Sequence, residues 1–299
     1  MTPEFRQPFS LGDAMRRVTE LPPIGERDPQ GHKGTYGRVL IVAGSRGMSG
    51  AGALSGQGAL RSGAGLVTVA CPDVVAPIVA GVDPCYLTLW LPSDRQGRVT
   101  AQAYDKLRGR KDDVIAVGPG MGASPALRRL VLSLLAHASA PLVIDADGLN
   151  VLAGHIEPLA GRAAATILTP HPGEFSRLTG RSIAAIQADR EEMAARFAKE
   201  HGVVLVLKGP GTVITDGTSL AVNDTGNPGM GTGGSGDVLT GIIAALLGQG
   251  FEPFDAARLG VYLHGRAGDL AAEDIGMISM TPVDLLAWLP QAFLELATP

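Results

Sequence analysis

The segment Asn227-Pro228-Gly229-Met230-Gly231-Thr232-Gly233-Gly234-Ser235-Gly236-Asp237 runs straight into an apolar stretch of helical pattern, residues 238–247. Glycines just before a helix let backbone N–H groups converge on an anion at the positive helix end. Asp237 then falls in the first turn, beside whatever phosphate binds there. A first-turn acid can simply complement the helix dipole. Next to a phosphate site, however, a carboxylate repels the ligand and needs another reason, which a general base taking a proton from an attacking hydroxyl supplies. His171 stands between Pro170 and Pro172 directly after an apolar run. Rings on both sides fix the backbone, which favours a ligand-directed imidazole over an exposed turn histidine. Lys208 leaves the apolar run 203–207 and precedes Gly209-Pro210-Gly211; it is placed to meet a nucleotide phosphate, although a surface lysine fits the pattern equally well. His264, mid-helix among apolar residues, reads as a core residue.

Other nucleotide signatures are absent or weak. No Gly-x-x-x-x-Gly-Lys-Ser/Thr occurs, which excludes a P-loop. Gly231-x-Gly233-x-x-Gly236 follows a turn, and Gly118-Pro119-Gly120-x-x-Ala123 matches the dinucleotide fingerprint only loosely, so a dehydrogenase of the Rossmann type is not favoured.

Positioning these groups requires a large sheet. Near-continuous apolar runs at 38–43, 66–70, 86–91, 114–117, 142–145, 166–168 and 203–207 read as strands covered on both faces. Helical patterns lie between and after them, at 49–62, 125–137, 182–200, 237–247, 253–272 and 281–289. Strands alternating with helices imply βαβ units and a mainly parallel sheet. Residues 212–215 and 219–222, joined by Asp216-Gly217-Thr218, read as a hairpin. Ligands in such sheets bind beyond the carboxyl ends of the strands. Five loops fall there: 44–47, 118–122, 145–148, 169–174 and 208–212.

The 299 residues include 41 glycines and only 4% aromatics, with a formal net charge of -4. No basic field or Lys/Arg run offers a surface for nucleic acid. No apolar stretch is long enough to span a bilayer, and residues 1–30 carry no signal peptide. Cys71 and Cys85 read as reduced thiols. The expectation is a soluble, cytoplasmic protein: a tail, residues 1–30, then one domain, residues 31–299.

Taken together, His32-Lys33-Gly34-Thr35-Tyr36-Gly37, Gly50-Ala51, Gly118-Pro119-Gly120, Asp145 to Asn150, Thr169 to Glu174, Lys208-Gly209, Gly229 to Gly241 and Tyr262 to Gly265 resemble the NAD(P)H-hydrate dehydratases of the ribokinase-like superfamily. Residues 277–282 are less typical of it. The resemblance implies a ribokinase-like three-layer α/β sandwich. It implies ADP-dependent dehydration of (6S)-NADH or NADPH hydrate, by phosphorylation of the C6 hydroxyl and loss of phosphate. It assigns Ala51, Gly120, His171 and Asp237 to the hydrated cofactor, with Asp237 as base. Lys208, Gly209, Pro210, Gly211 and Thr212 hold the nucleotide, and Gly234, Ser235 and Gly236 face its transferring phosphoryl group. Mg²⁺ is expected, its ligands unnamed. The resemblance also implies a homo-oligomer, of which a tetramer is one form, and epimerisation by a separate protein. The alternatives are a ribokinase-like kinase for a vitamin precursor and a nucleotide-binding regulator without catalysis.

Overall fold

The computed structural model describes residues 15–297. Its strands are β1 (Arg16–Arg17), β2 (Arg38–Val42), β3 (Leu66–Pro72), β4 (Leu87–Leu91), β5 (Val114–Val117), β6 (Leu142–Ile144), β7 (Thr166–Leu168), β8 (Val204–Leu207), β9 (Thr212–Thr215) and β10 (Ser219–Asn223). They form one sheet in the order β1-β10-β9-β8-β7-β6-β5-β2-β3-β4. The run from β8 to β4 is parallel; β9 alone opposes both of its neighbours, through the expected hairpin to β10.

Successive strand residues point to opposite faces, and here both faces are apolar. Val39 and Ile41 enter one core while Leu40 and Val42 enter the other. The first core is roofed by α1 (Ser49–Arg61), α2 (Ala76–Ala80), α9 (Ser235–Gly248), α10 (Pro253–Ile275) and α11 (Pro282–Ala297). The second is roofed by α3 (Ala103–Leu107), α4 (Pro125–His137), α5 (Asp147–Asn150), α6 (Pro172–Thr179), α7 (Ile183–Ala188) and α8 (Arg190–His201). This is the three-layer sandwich of the expectation. Helices α1 and α9 approach very closely, because a Cβ on Gly241 would lie 2.0 Å from the Ser55 carbonyl oxygen and one on Gly58 2.6 Å from that of Val238.

Three local expectations change. The single helix at 182–200 is two, since Asp189 takes φ -148° and ψ 58° and turns the chain. The loop 169–174 is cut short because α6 already begins at Pro172, and α5 begins inside the loop 145–148. Residues 1–14 of the expected tail lie outside the described residues, but residues 15–30 dock on the domain. Arg16 and Arg17 pair with β10, Ile24 packs on the first core, and Arg258 donates to the Glu20 carbonyl.

The carboxyl ends of the strands are tied to one another. Gly44 N–H donates to the Pro119 carbonyl (2.8 Å), Gly118 N–H to Val42 (3.1 Å) and Lys208 N–H to Pro170 (2.9 Å). The five loops picked out in the sequence therefore share one rim, and the N-terminal end of α9 abuts it: a Cβ on Gly236 would lie 3.3 Å from Lys208 Nζ.

Candidate active site

Asp237 owes its position to the glycines before it. Gly234 caps α9 with φ 99°, a left-handed conformation that a side chain rarely tolerates. A Cβ there would also press 2.6 Å from Leu54 Cδ1 and 3.1 Å from Pro282 Cγ. The loop is held from behind by α10. Asn227 Nδ2 donates to the Gly268 carbonyl (2.9 Å) and to Asp269 (3.0 Å), and Gly226 N–H donates to Asp269 (2.9 Å). His264, buried as expected, does more than fill the core. Its Nε2–H donates to the Ser235 carbonyl (2.9 Å) and lies 3.2 Å from Ser235 Oγ. Burial brings its pKa down to about 4, so it holds the helix start as a neutral ring.

The Asp237 carboxylate makes no hydrogen bond or ion pair among the described residues, yet it is largely buried. Burial, then the Asp145 charge, push its pKa up to about 7; Lys208 opposes them and Asp147 adds to them. A carboxyl group with that pKa is half ionised near neutrality and suited to accept a proton.

Asp145, at the end of β6, is a residue whose importance sequence spacing does not reveal. It is 1% exposed. Its Oδ1 accepts from Thr169 Oγ1 (2.7 Å) and from Lys208 Nζ (2.7 Å), and its Oδ2 accepts from Thr240 Oγ1 (2.9 Å). Ala146, which follows, is the one non-glycine residue with positive φ (50°) among the described residues. Such a backbone costs about 1–3 kcal/mol and is kept where the surroundings demand it. Here it separates Asp145, turned inward, from Asp147, which accepts from Gly122 N–H (2.8 Å). The sequence marked Asp145 only as the end of an apolar run and the start of a rim loop within a family-like segment, without a role.

Lys208 therefore reaches the rim already paired. Its Nζ also lies 4.0 Å from Glu174. Burial alone lowers its pKa, but Asp145 and Glu174 outweigh burial and the net shift is upward, so it stays charged. The residues after it, Gly209 to Thr212, curl over Arg190. That guanidinium donates to the carbonyls of Leu207 (2.8 Å), Lys208 (3.3 Å) and Gly211 (3.4 Å). Thr212 Oγ1 closes the turn on the Gly209 carbonyl (2.9 Å).

His171 serves the backbone first. It is the N-cap of α6, its Nδ1 accepting from Gly173 N–H (3.0 Å) and Glu174 N–H (3.3 Å), while Glu174 Oε2 accepts from His171 N–H (2.8 Å). Pro172 is the first helical residue, a position where its missing N–H is harmless. Because Nδ1 accepts, Nε2 carries the proton of the neutral ring, 3.3 Å from Glu174 Oε1. Burial and the Lys208 and Arg177 charges lower its pKa and keep it neutral. Half of the ring stays exposed at the rim.

Ala51 and Gly120 meet across the crevice. A Cβ on Gly120 would stand 2.6 Å from Ala51 Cβ and 3.0 Å from the Met48 carbonyl oxygen. Ser45 Oγ ties the same two loops by donating to the Gly120 carbonyl (2.8 Å). By contrast, the motif from His32 to Gly37 lies at the far end of α9. A Cβ on Gly37 would strike the Gly248 carbonyl oxygen at 2.2 Å, about 16 Å along the helix from Asp237. It packs the fold and does not face the crevice.

Among the described residues no three His, Cys, Asp or Glu side chains gather as metal ligands. Mg²⁺ commonly binds through substrate phosphates and its own waters. The donor set among the described residues does not make a resident Mg²⁺ site. No helix among the described residues is long and apolar enough to cross a membrane.

A family model described as NAD(P)H-hydrate dehydratase matches residues 39–291. The bifunctional NAD(P)H-hydrate repair enzyme Nnr of Moorella thermoacetica is 50% identical over 271 residues, 89% of this chain and 51% of that protein. The ADP-dependent (S)-NAD(P)H-hydrate dehydratase of Neisseria meningitidis is 38% identical over 84% of this chain and 82% of its own length. The chain thus spans about half the length of the bifunctional relatives it matches. Among solved structures, the ADP/ATP-dependent NAD(P)H-hydrate dehydratase of Bacillus subtilis, co-crystallised with ATP/Mg²⁺, superposes with a TM-score of 0.80 at 32% identity. That match covers 92% of this chain and 95% of the other.

Proposed function

The chain belongs to the NAD(P)H-hydrate dehydratase family, and from that premise we propose that it dehydrates hydrated NADH or NADPH at the expense of ADP. The observation that carries this reading is Asp237: a partly buried carboxylate without a partner, half ionised near neutrality, at the mouth of a glycine-rich helix start.

The C6 hydroxyl of the hydrate is a poor leaving group. Asp237 takes its proton as the oxygen attacks the terminal phosphorus of ADP, and AMP departs. The N–H groups of Gly234, Ser235 and Gly236, at the positive end of α9, face the charge on the transferring phosphoryl group. The ring nitrogen lone pair then expels phosphate from C6, and loss of a proton from C5 restores the dihydropyridine. Ala51, Gly120 and His171 line the nicotinamide side; Gly209, Pro210, Gly211 and Thr212 line the nucleotide side. Lys208 meets phosphate only through donors that Asp145 leaves open. Mg²⁺ bound with the nucleotide phosphates would supply neutralisation of their charge.

The same reading takes residues 31–299 as the catalytic domain, with residues 15–30 docked on it, and places the protein in the cytoplasm as a homo-oligomer.

The test is absorbance at 340 nm of purified protein with hydrated NADH, Mg²⁺ and either ADP or ATP. A rise with ADP, matched by phosphate release, is expected. Phosphorylation of a vitamin alcohol without any rise would move the protein to a kinase role. Binding of nucleotide with neither reaction would make it a regulator.

A further inference from the structure

We propose that the buried Asp145–Lys208 pair is a positioning unit for Asp237, seating α9 against the ends of β6 and β8 and holding a fixed charge beside the base. The inference rests on Asp237 being the base of the proposed reaction.

Asp145 is saturated by protein. Its two oxygens take Thr169, Lys208 and Thr240, at 2.7, 2.7 and 2.9 Å. A carboxylate so engaged has little left to offer a substrate. One of its donors lies on the helix of the base itself: Thr240 follows Asp237 by three residues and shares its face of α9, and it is fully buried. Asp145 thereby fixes where the first turn of α9 sits relative to the sheet.

Lys208 is in an unexpected place. Its ammonium lies under Gly236, where a Cβ would stand 3.3 Å from Nζ, at the helix end that repels cations. Asp145 and Glu174 hold it there against that repulsion. The charged groups that act on Asp237 come from three elements besides α9. They are Asp145 after β6, Asp147 on α5 and Lys208 after β8, the two carboxylates being the negative neighbours of Asp237; His171 and Glu174, at the start of α6, neighbour Lys208 instead. His264 of α10, neutral, sits behind Ser235. Asp145 and Asp147 favour the protonated base and Lys208 favours the ionised one. Neutralising either member of the pair should therefore move the titration of Asp237, and the two changes should move it in opposite directions.

The experiment is carboxyl ¹³C NMR of the full chain labelled at aspartate, titrated as wild type, Asp145→Asn and Lys208→Met, with Asp237→Asn to assign the resonance. The expected result is a midpoint about one pH unit lower in Asp145→Asn and about one unit higher in Lys208→Met. Unmoved midpoints, or shifts of the same sign, overturn the proposal, because damage to packing alone predicts no opposed pair of shifts. If Asp145→Asn does not fold, the direction in Lys208→Met decides alone. The readout needs no turnover. Opposed shifts in a protein that does not dehydrate the hydrate would keep the pair and remove the proposed function, whereas dehydration with an unmoved Asp237 would do the reverse.

Discussion

The two ends of the parallel strands treat buried charge in different ways. At the amino ends of β6 and β7, Arg162 is sunk among backbone oxygens. It donates to Ala138, Ala140, Ala164 and Ala165 and to Thr166 Oγ1. No acid pairs with it among the described residues, and it is consumed by holding two chain segments together. The cavity at this end, 560 Å³, is lined by residues such as Arg16, Thr166, Asp216 and Phe254 and lacks a partnerless buried acid. At the carboxyl ends, Asp145 and Lys208 satisfy each other, but Asp237 is left partly buried without a partner. A charge bonded mainly to backbone oxygens or to an opposite charge builds the fold. One whose bonding is left open is destabilising unless it serves the chemistry.

The contrast can be broken most severely at Asp237. Asp237→Asn should cut turnover by about a thousandfold, within the range of a general base, with binding of nucleotide and hydrate largely kept. Turnover within tenfold of wild type would end its role as base. In the wild type, kcat/KM should fall as pH drops through about 7, where the carboxyl group gains its proton.

Arg162→Met tests the other end. It strands several carbonyl oxygens and should cost about 3 kcal/mol of stability in urea unfolding, while the activity of the folded fraction is unchanged. A loss of specific activity to match that of Asp237→Asn would erase the distinction between the two ends.

The smallest effect sharpens the comparison. The Asp237 pKa is raised from the ordinary aspartate range to about 7 in the fold, so ionising it costs stability. The fold is favoured most below about 4, loses stability as pH climbs towards 7, and is level above. Asp237→Asn removes that loss and should be more stable than wild type at pH 8, by about 2 kcal/mol, with no gain at pH 4. Equal unfolding midpoints at both pH values would mean that Asp237 is better solvated than its surroundings imply.

Much of this architecture is legible in the chain. The apolar runs mark β2 to β8 because strands covered on both faces must be continuously apolar. The hairpin is marked by Asp216, whose Oδ1 accepts from Thr218 N–H and Ser219 N–H (2.7 and 2.6 Å). Helix breaks were less visible. The turn at Asp189 sets Arg190 under the carbonyls of residues 207–211, and nothing local in 182–200 announces a partner so distant in sequence. His171 reads as a ligand from its prolines, whereas the structure spends its Nδ1 on capping α6.

What the sequence determined by itself is the periodicity, the turns and the glycine run that leads into Asp237, since these depend on each residue's own backbone and on neighbours a few positions away. Tertiary structure alone decided what Asp237 would be. Asp145 meets Lys208 across 63 residues and Thr240 across 95, and only folding brings those charges and the surrounding apolar layers to the base. A pKa near 7 needs both burial and fixed charges at close range, and electrostatic interaction depends on distance through space and on the exclusion of water, neither of which is written in the order of the residues.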